Sequence, residues 1–229
     1  MSAREEILAR VRSATADVTT EKRPVARSGS GSVPSQQPDR AISRETLELF
    51  AENVADYRAT VVRVPAEQVA ATVVEQLRAA GLGSVVVPTG LDAGWTAALD
   101  GAFDVLPESD ATSAQTLDGI DAVVTGSAVG IATTGTIVLD HAPDQGRREL
   151  TLVPDTHVCV IGQDQVVHDV PEAVSLLRTP EGAQRALTWI SGPSATSDIE
   201  LQRVEGVHGP RTLIVVLVDE GARADVTAG

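Results

Sequence analysis

Two polar stretches near the end of the chain hold side chains suited to chemistry. In "GPSATSDIE", Gly192 and Pro193 break the preceding apolar run, and Ser194, Thr196 and Ser197 then supply hydroxyl donors. Ser197 and Glu200 also fit a capping box, in which Ser caps the backbone and Glu reaches back. Asp198 and Glu200 would then sit at a helix N-terminus, where negative charge is favoured. A helix start explains Ser197 and Glu200, but it leaves Ser194 and Thr196 without a role. Close by, "EGVHGPR" sets His208 between Gly206 and Gly209, with Arg211 as a fixed cation. A histidine on such a loop titrates near neutrality and suits a general base or an anion partner. A tight turn with a solvated imidazole fits the same residues.

A third stretch, "GIATTGTIVLD", places Thr133, Thr134, Gly135 and Thr136 in a hydroxyl-rich turn feeding an apolar strand. Such a turn can aim backbone N–H and hydroxyl donors at a carboxylate or phosphate. The same residues would also make a β-hairpin turn with Gly135 at positive φ. No catalytic set emerges from these stretches. Nor does a metal site, since His141, His157, His168 and His208 lack the usual ligand spacings. "GLGSVVV" fails as a dinucleotide fingerprint because it lacks the third glycine and precedes its strand.

The elements that must position these residues follow from periodicity. "SAREEILARVRSAT" spaces Ile7, Leu8 and Val11 as a short amphipathic helix over residues 1–18. Residues 19–42, rich in Ser, Gly, Pro and Arg, are expected to form a flexible linker. A tethered helix of this kind is compatible with a homo-oligomer. The body, residues 43–220, opens on two helices, and residues 221–229 form a tail. Leu47, Phe50, Val54 and Tyr57 line one stripe of the first helix. Val69, Val73, Val74 and Leu77 line the second, between Pro65 and Gly81. "TVVRVP", "SVVVP", "DAVVTG", "TIVLD", "HVCVIG", "LTWISG" and "TLIVVLVD" predict strands, with helical "PEAVSLLR" and "TPEGAQRAL" between them. Several runs are apolar at successive positions, the pattern of strands buried on both faces. The predicted class is α/β, a mostly parallel sheet flanked by helices. Ligands of such sheets sit beyond the strands' carboxyl ends.

Composition removes several functions. The net charge is −14, with residues 1–40 at +2 and the remainder at −16. Such an acidic body disfavours nucleic acid and anionic membrane surfaces. No apolar run is long enough to cross a bilayer, and the charged N-terminus does not resemble a secretory signal. The expected location is the cytoplasm. The lone lysine, Lys22, lies in the linker, so the body offers no amine for a P-loop or a Schiff base. The lone cysteine, Cys159, cannot supply an iron–sulfur cluster. Electron transfer would therefore need a partner's metal centres.

"ATTGTIVLD", "LVPDTHVCVI", "GPSATSDIE" and "GVHGPRTLIVVLVD", in this order, resemble the LUD domain, and more narrowly the lactate utilisation protein C family. The resemblance covers roughly residues 43–220. It implies a fold similar to the sugar-phosphate isomerase and CoA-transferase superfamily. It also implies a subunit of a system oxidising L-lactate to pyruvate independently of NAD. This chain would bind no cofactor, and iron–sulfur clusters would sit on partner proteins. Thr134, Gly135, Thr136, Gly192, Ser194, Thr196, Ser197, Asp198, Glu200, His208 and Gly209 then form a candidate site for a small carboxylate or phosphate. Ala195 departs from the family, whose members often carry Arg there. Arg147, Arg148 and Arg211 are the available replacements. The competing reading is a stand-alone enzyme or metabolite-binding module, using the superfamily's anion-binding loops on a phosphorylated or CoA-linked small molecule.

Overall fold

The computed structural model describes residues 4–5, 42–111, 113–177, 186–197, 203–205 and 209–219. The chain divides into two compact units, Met1–Gln37 and Pro38–Gly229. In the first, Arg4 and Glu5 are helical and exposed. The rest of the predicted 1–18 helix, nearly all of the 19–42 linker, the "TPEGAQRAL" helix up to residue 185 and the 221–229 tail lie outside the described residues.

The second unit begins with α1 (Arg44–Asp56), where Ser43 Oγ accepts from the Thr46 N–H at 3.2 Å as an N-cap. Its buried stripe is Leu47, Phe50 and Val54. Tyr57, expected on that stripe, is the C-cap residue and is half exposed, because the helix has already ended. After β1 (Thr60–Val64), a 3₁₀ turn at Ala66–Gln68 leads into α2 (Val69–Ala79). Here Val69, Thr72, Val73 and Leu77 are buried, so Thr72 rather than the expected Val74 completes the inner face. Next come β2 (Ser84–Val87), α3 (Ala93–Asp100), β3 (Asp104–Pro107), α4 (Ala114–Asp118), β4 (Ala122–Thr125) and β5 (Val129–Ile131). They are followed by β6 (Thr136–Leu139), β7 (Thr156–Gly162), β8 (Val166–Val167), α5 (Val170–Leu176) and β9 (Thr188–Ile190). The short strands β10 (Ala195–Ser197) and β11 (Arg203–Glu205) precede the long β12 (Thr212–Val218).

Six strands form a sheet in the order β1-β12-β7-β4-β2-β3, parallel at every pairing. The fold is α/β, with helices against this sheet. Alternation along each strand divides the core between its two faces. Val85, Val87, Val124, Val158, Val160, Ile214 and Val216 pack with Val69, Val73 and Leu77 of α2 and Leu99 of α3. On the other face, Cys159, Ile161, Leu213, Val215 and Leu217 pack with Leu47, Phe50 and Val54 of α1.

That second cluster also takes in Ile137, Leu139 and Val166, which belong to a separate four-stranded sheet ordered β8-β5-β6-β9. The expectation that "TIVLD" and "LTWISG" join the parallel sheet is corrected here. Both lie in this smaller sheet, where β6 pairs antiparallel with β5 and β9. Their continuous apolar character arises because the small sheet is sandwiched. Ile137 and Leu139 face the main sheet, while Val138 packs with Val129, Ile131, Val167 and Ala173 of α5.

Candidate functional site

The order of the main sheet creates one crevice where a ligand would be expected. After β3 the chain turns back through β4, so the carboxyl ends of β2 and β4 flank a topological switch point. The segment between β6 and β7 fills that position. The Gly90 N–H donates to the Pro143 carbonyl at 2.8 Å, and the Gly126 N–H to the Asp144 carbonyl at 3.0 Å. Beside them the Arg147 guanidinium donates to the backbone carbonyls of Glu108 (3.1 Å) and Ala111, and its N–H donates to Glu108 Oε1 at 2.9 Å. Burial pushes the Asp144 carboxyl above the usual range, and nearby Asp140 adds to the shift. The chain itself thus closes the crevice.

A cavity of about 270 Å³ lies elsewhere, between the small sheet and the amino ends of β7 and β12. Its walls come from β9 and the loop after it (Thr188 to Ser194), from Thr151 and Leu152, from His157, and from Gly209, Pro210 and Leu213. Two contacts hold the loop in place. The Ser194 N–H donates to the Pro210 carbonyl at 2.7 Å, and Ser191 Oγ lies 2.8 Å from Thr136 Oγ1. The cavity is therefore built where "GPSATS" meets the run into β12.

Of the predicted site residues, Gly192, Ser194 and Gly209 line the cavity. Thr136 touches it only through Ser191, and exposed Thr134 donates to Thr136 Oγ1 at 2.8 Å. Gly135 closes the β5–β6 hairpin at φ 56°, against the backbone of α1. A Cβ there would lie 2.6 Å from the Asn53 carbonyl carbon. Gly192, at φ 82°, meets the chain just after α1, where a Cβ would fall 2.6 Å from Tyr57 Cβ. Thr196 and Ser197 lie in β10. Ser197, expected as a helix N-cap, is instead the last residue of that strand, opposite Arg203. Asp198, Glu200 and His208 lie outside the described residues.

The three arginines considered as replacements at Ala195 are placed apart from the cavity lining. Arg147 is engaged by Glu108, Arg148 is exposed, and Arg211 Nε lies 3.5 Å from Asp155 Oδ1. No charged side chain lines the cavity among the described residues. No group of three or more His, Cys, Asp or Glu among them is placed to hold a metal ion.

Sequence reasoning passed over the imidazoles that the fold places at this site. His157, second residue of β7, is 1% exposed, and its Nε2 lies 2.8 Å from Thr125 Oγ1. Burial pushes its pKa down to about 4, so the ring is neutral near pH 7. Thr125 is fully buried, and its hydroxyl also hydrogen-bonds the Cys159 side chain, so it links the two buried groups. His141 stands behind Thr188 of the lining. Its Nδ1–H donates to the Gly146 carbonyl at 3.1 Å, and its Nε2 lies 2.9 Å from the cavity-lining Thr188 hydroxyl. The available signal was a histidine interrupting the apolar run "VCVI" from its front, beside a threonine.

Comparison with known proteins agrees with this architecture. The family model described as the LUD domain matches residues 47–218. A lactate utilization protein C from Deinococcus radiodurans is 45% identical over 202 residues, which is 88% of this chain and 93% of that protein. A lactate utilization protein C from Bacillus subtilis is 31% identical over 101 residues, 42% of each chain. The crystal structure of a DUF162 family protein from Deinococcus radiodurans aligns with a TM-score of 0.67 at 41% identity, covering 78% of this chain and 99% of that one.

Proposed function

Because this chain belongs to the LUD domain family, we propose that it serves lactate utilisation as a subunit of a cytoplasmic system oxidising L-lactate to pyruvate without NAD. The observation carrying this reading is the near-complete coverage of the Deinococcus lactate utilization protein C at 45% identity. Oxidation of a 2-hydroxy acid releases two electrons and two protons. Without NAD the electrons need another acceptor, and iron–sulfur clusters on partner proteins supply one. Cys159 agrees with that division of labour. It is fully buried, and burial pushes its thiol up to about 12, so it offers no thiolate to a cluster.

The cavity beside His157 gives the subunit a place for a small carboxylate or phosphate of that system. The competing reading, a stand-alone enzyme on phosphorylated or CoA-linked substrates, finds less support. The switch-point crevice, where an open α/β sheet ordinarily takes its ligand, is closed by Pro143 and Asp144. Deletion of the gene should abolish growth on L-lactate while sparing growth on pyruvate, and affinity purification of the tagged chain should recover iron–sulfur proteins. Normal growth on L-lactate, with no such protein recovered, would sink the proposal.

A further inference from the structure

We propose that residues 141–146 form a hinged lid over the carboxyl ends of β2 and β4, latched through His141 to Thr188 in the cavity wall. The closed crevice described above is then one of two states, and its opening is coupled to the cavity side of the molecule. Both states are open to the chain whatever its part in lactate utilisation.

The segment is built as a body rather than as a slack connection. At its foot, the Asp140 N–H donates to Gln145 Oε1 at 2.8 Å, and the Ala142 N–H donates to Asp140 Oδ1 at 3.2 Å. The N–H groups of Gln145 and Gly146 both donate to the Ala142 carbonyl, at 2.8 Å and 3.0 Å. His141 Nδ1–H then joins the two ends through the Gly146 carbonyl at 3.1 Å. Compact loops closed on themselves in this way are frequently functional. These internal bonds survive displacement, so the segment moves whole more cheaply than it melts.

Its ends are placed as hinges. His141 has φ 57° and Gly146 φ 68°, one just after β6 and the other just before the 3₁₀ turn Arg148–Thr151. Hinge residues commonly fall at the ends of elements. At His141, which carries a Cβ, the left-handed conformation stores strain that the surrounding contacts hold in place.

Little holds the lid down. Three hydrogen-bond contacts join it to other described residues: the Gly90 N–H to the Pro143 carbonyl, the Gly126 N–H to the Asp144 carbonyl, and His141 Nε2 beside Thr188 Oγ1. Its apolar side chains are Ala142 and the exposed Pro143, and neither packs into the core. Asp144 works against closure, because burial disfavours its ionised carboxyl and Asp140 adds to the effect. Local opening is drawn from segments with so few buried apolar contacts.

The seat is shaped for close approach. A Cβ at Gly90 would lie 2.5 Å from Pro143 Cβ, and a Cβ at Gly126 would meet the Asp144 carboxyl. The lid therefore rests directly on the main chain, and lifting it frees two N–H groups at once. The third contact leads away from the crevice, since Thr188 belongs to β9 and lines the cavity. A shift of β9 strains or releases this latch.

Amide hydrogen exchange of the full chain, resolved by residue with NMR, tests the lid. The Gly90 and Gly126 amides should share one opening rate and exchange roughly tenfold or more faster than those of Val86 and Val124. Gly90→Ala wedges a methyl group against Pro143, so the Gly126 amide should lose protection too, although it bonds a different lid residue. Thr188→Val removes the latch from the cavity side. It should speed exchange at both glycines roughly threefold to tenfold, the effect of one hydrogen bond, and leave Val86 and Val124 unchanged. Thr188→Val also serves as the independent variant if Gly90→Ala fails to fold. Gly90 and Gly126 exchanging as slowly as Val86 and Val124, or at unrelated rates, would overturn the proposal. So would a Gly126 amide indifferent to Gly90→Ala, or both glycines indifferent to Thr188→Val.

Discussion

At the scale of single residues, His157 couples the cavity to the stability of the protein. Its ordinary value of 6.5 falls to about 4 in the fold because burial disfavours the imidazolium. Above pH 6.5 the ring is neutral in both folded and unfolded chains, and stability is unaffected. As pH falls toward 4, the unfolded chain takes up the proton and the folded chain does not, so stability declines. The full loss is on the order of 3 kcal/mol, reached below the folded value. Urea denaturation from pH 7 to pH 4 should show this decline, and His157→Asn should flatten it. An equally steep decline in His157→Asn would assign the effect to other groups.

At the scale of elements, the hydroxyl-rich turn and the cavity loop are both anchored on the end of α1. Gly135 lies against the Asn53 backbone, and Asn53 Nδ2 donates to the Ala132 carbonyl at 2.7 Å. Gly135→Ala would combine a left-handed φ with a Cβ at 2.6–2.8 Å from backbone atoms. The expected loss is about 2 kcal/mol or more, measurable by denaturant unfolding. A loss of a few tenths would mean that the turn yields more easily than its geometry implies. Much at this scale was legible in the chain. The apolar periodicity marked α1 and α2, and the runs at Val85, Val123, Val158 and Val215 marked central strands. Periodicity cannot say which strands pair, so it could not place Ile137 and Trp189 in a second sheet. The three residues of β5 and two of β8 are too short to carry a pattern. The cavity itself was partly legible. Gly192, Ser194 and Gly209 stood out as polar loop residues, but His157 reads as strand interior until β4 brings Thr125 beside it.

At the scale of the whole molecule, the excess of carboxylates shapes behaviour that no single contact reveals. A net charge of −14 on 229 residues makes the folded state repel itself. Raising sodium chloride from about 0.05 M to about 0.5 M shortens the Debye length from over 10 Å to below 5 Å, so Tm should rise. A fall in Tm would show that attractive pairs such as Arg63–Asp219, at 2.5 Å, outweigh the general repulsion.

The closeness of Gly135 and Gly192 to one helix end has a kinetic consequence. Neither turn can loosen far while α1 stays seated, and α1 cannot leave without freeing both. The amides of α1, the β5–β6 hairpin and the loop after β9 should therefore exchange with deuterium as one cooperative unit. An occupant of the cavity should slow exchange in α1, although no residue of that helix lines the cavity. Hydrogen exchange with and without the bound acid would reveal this, and protection confined to the cavity lining would refute it.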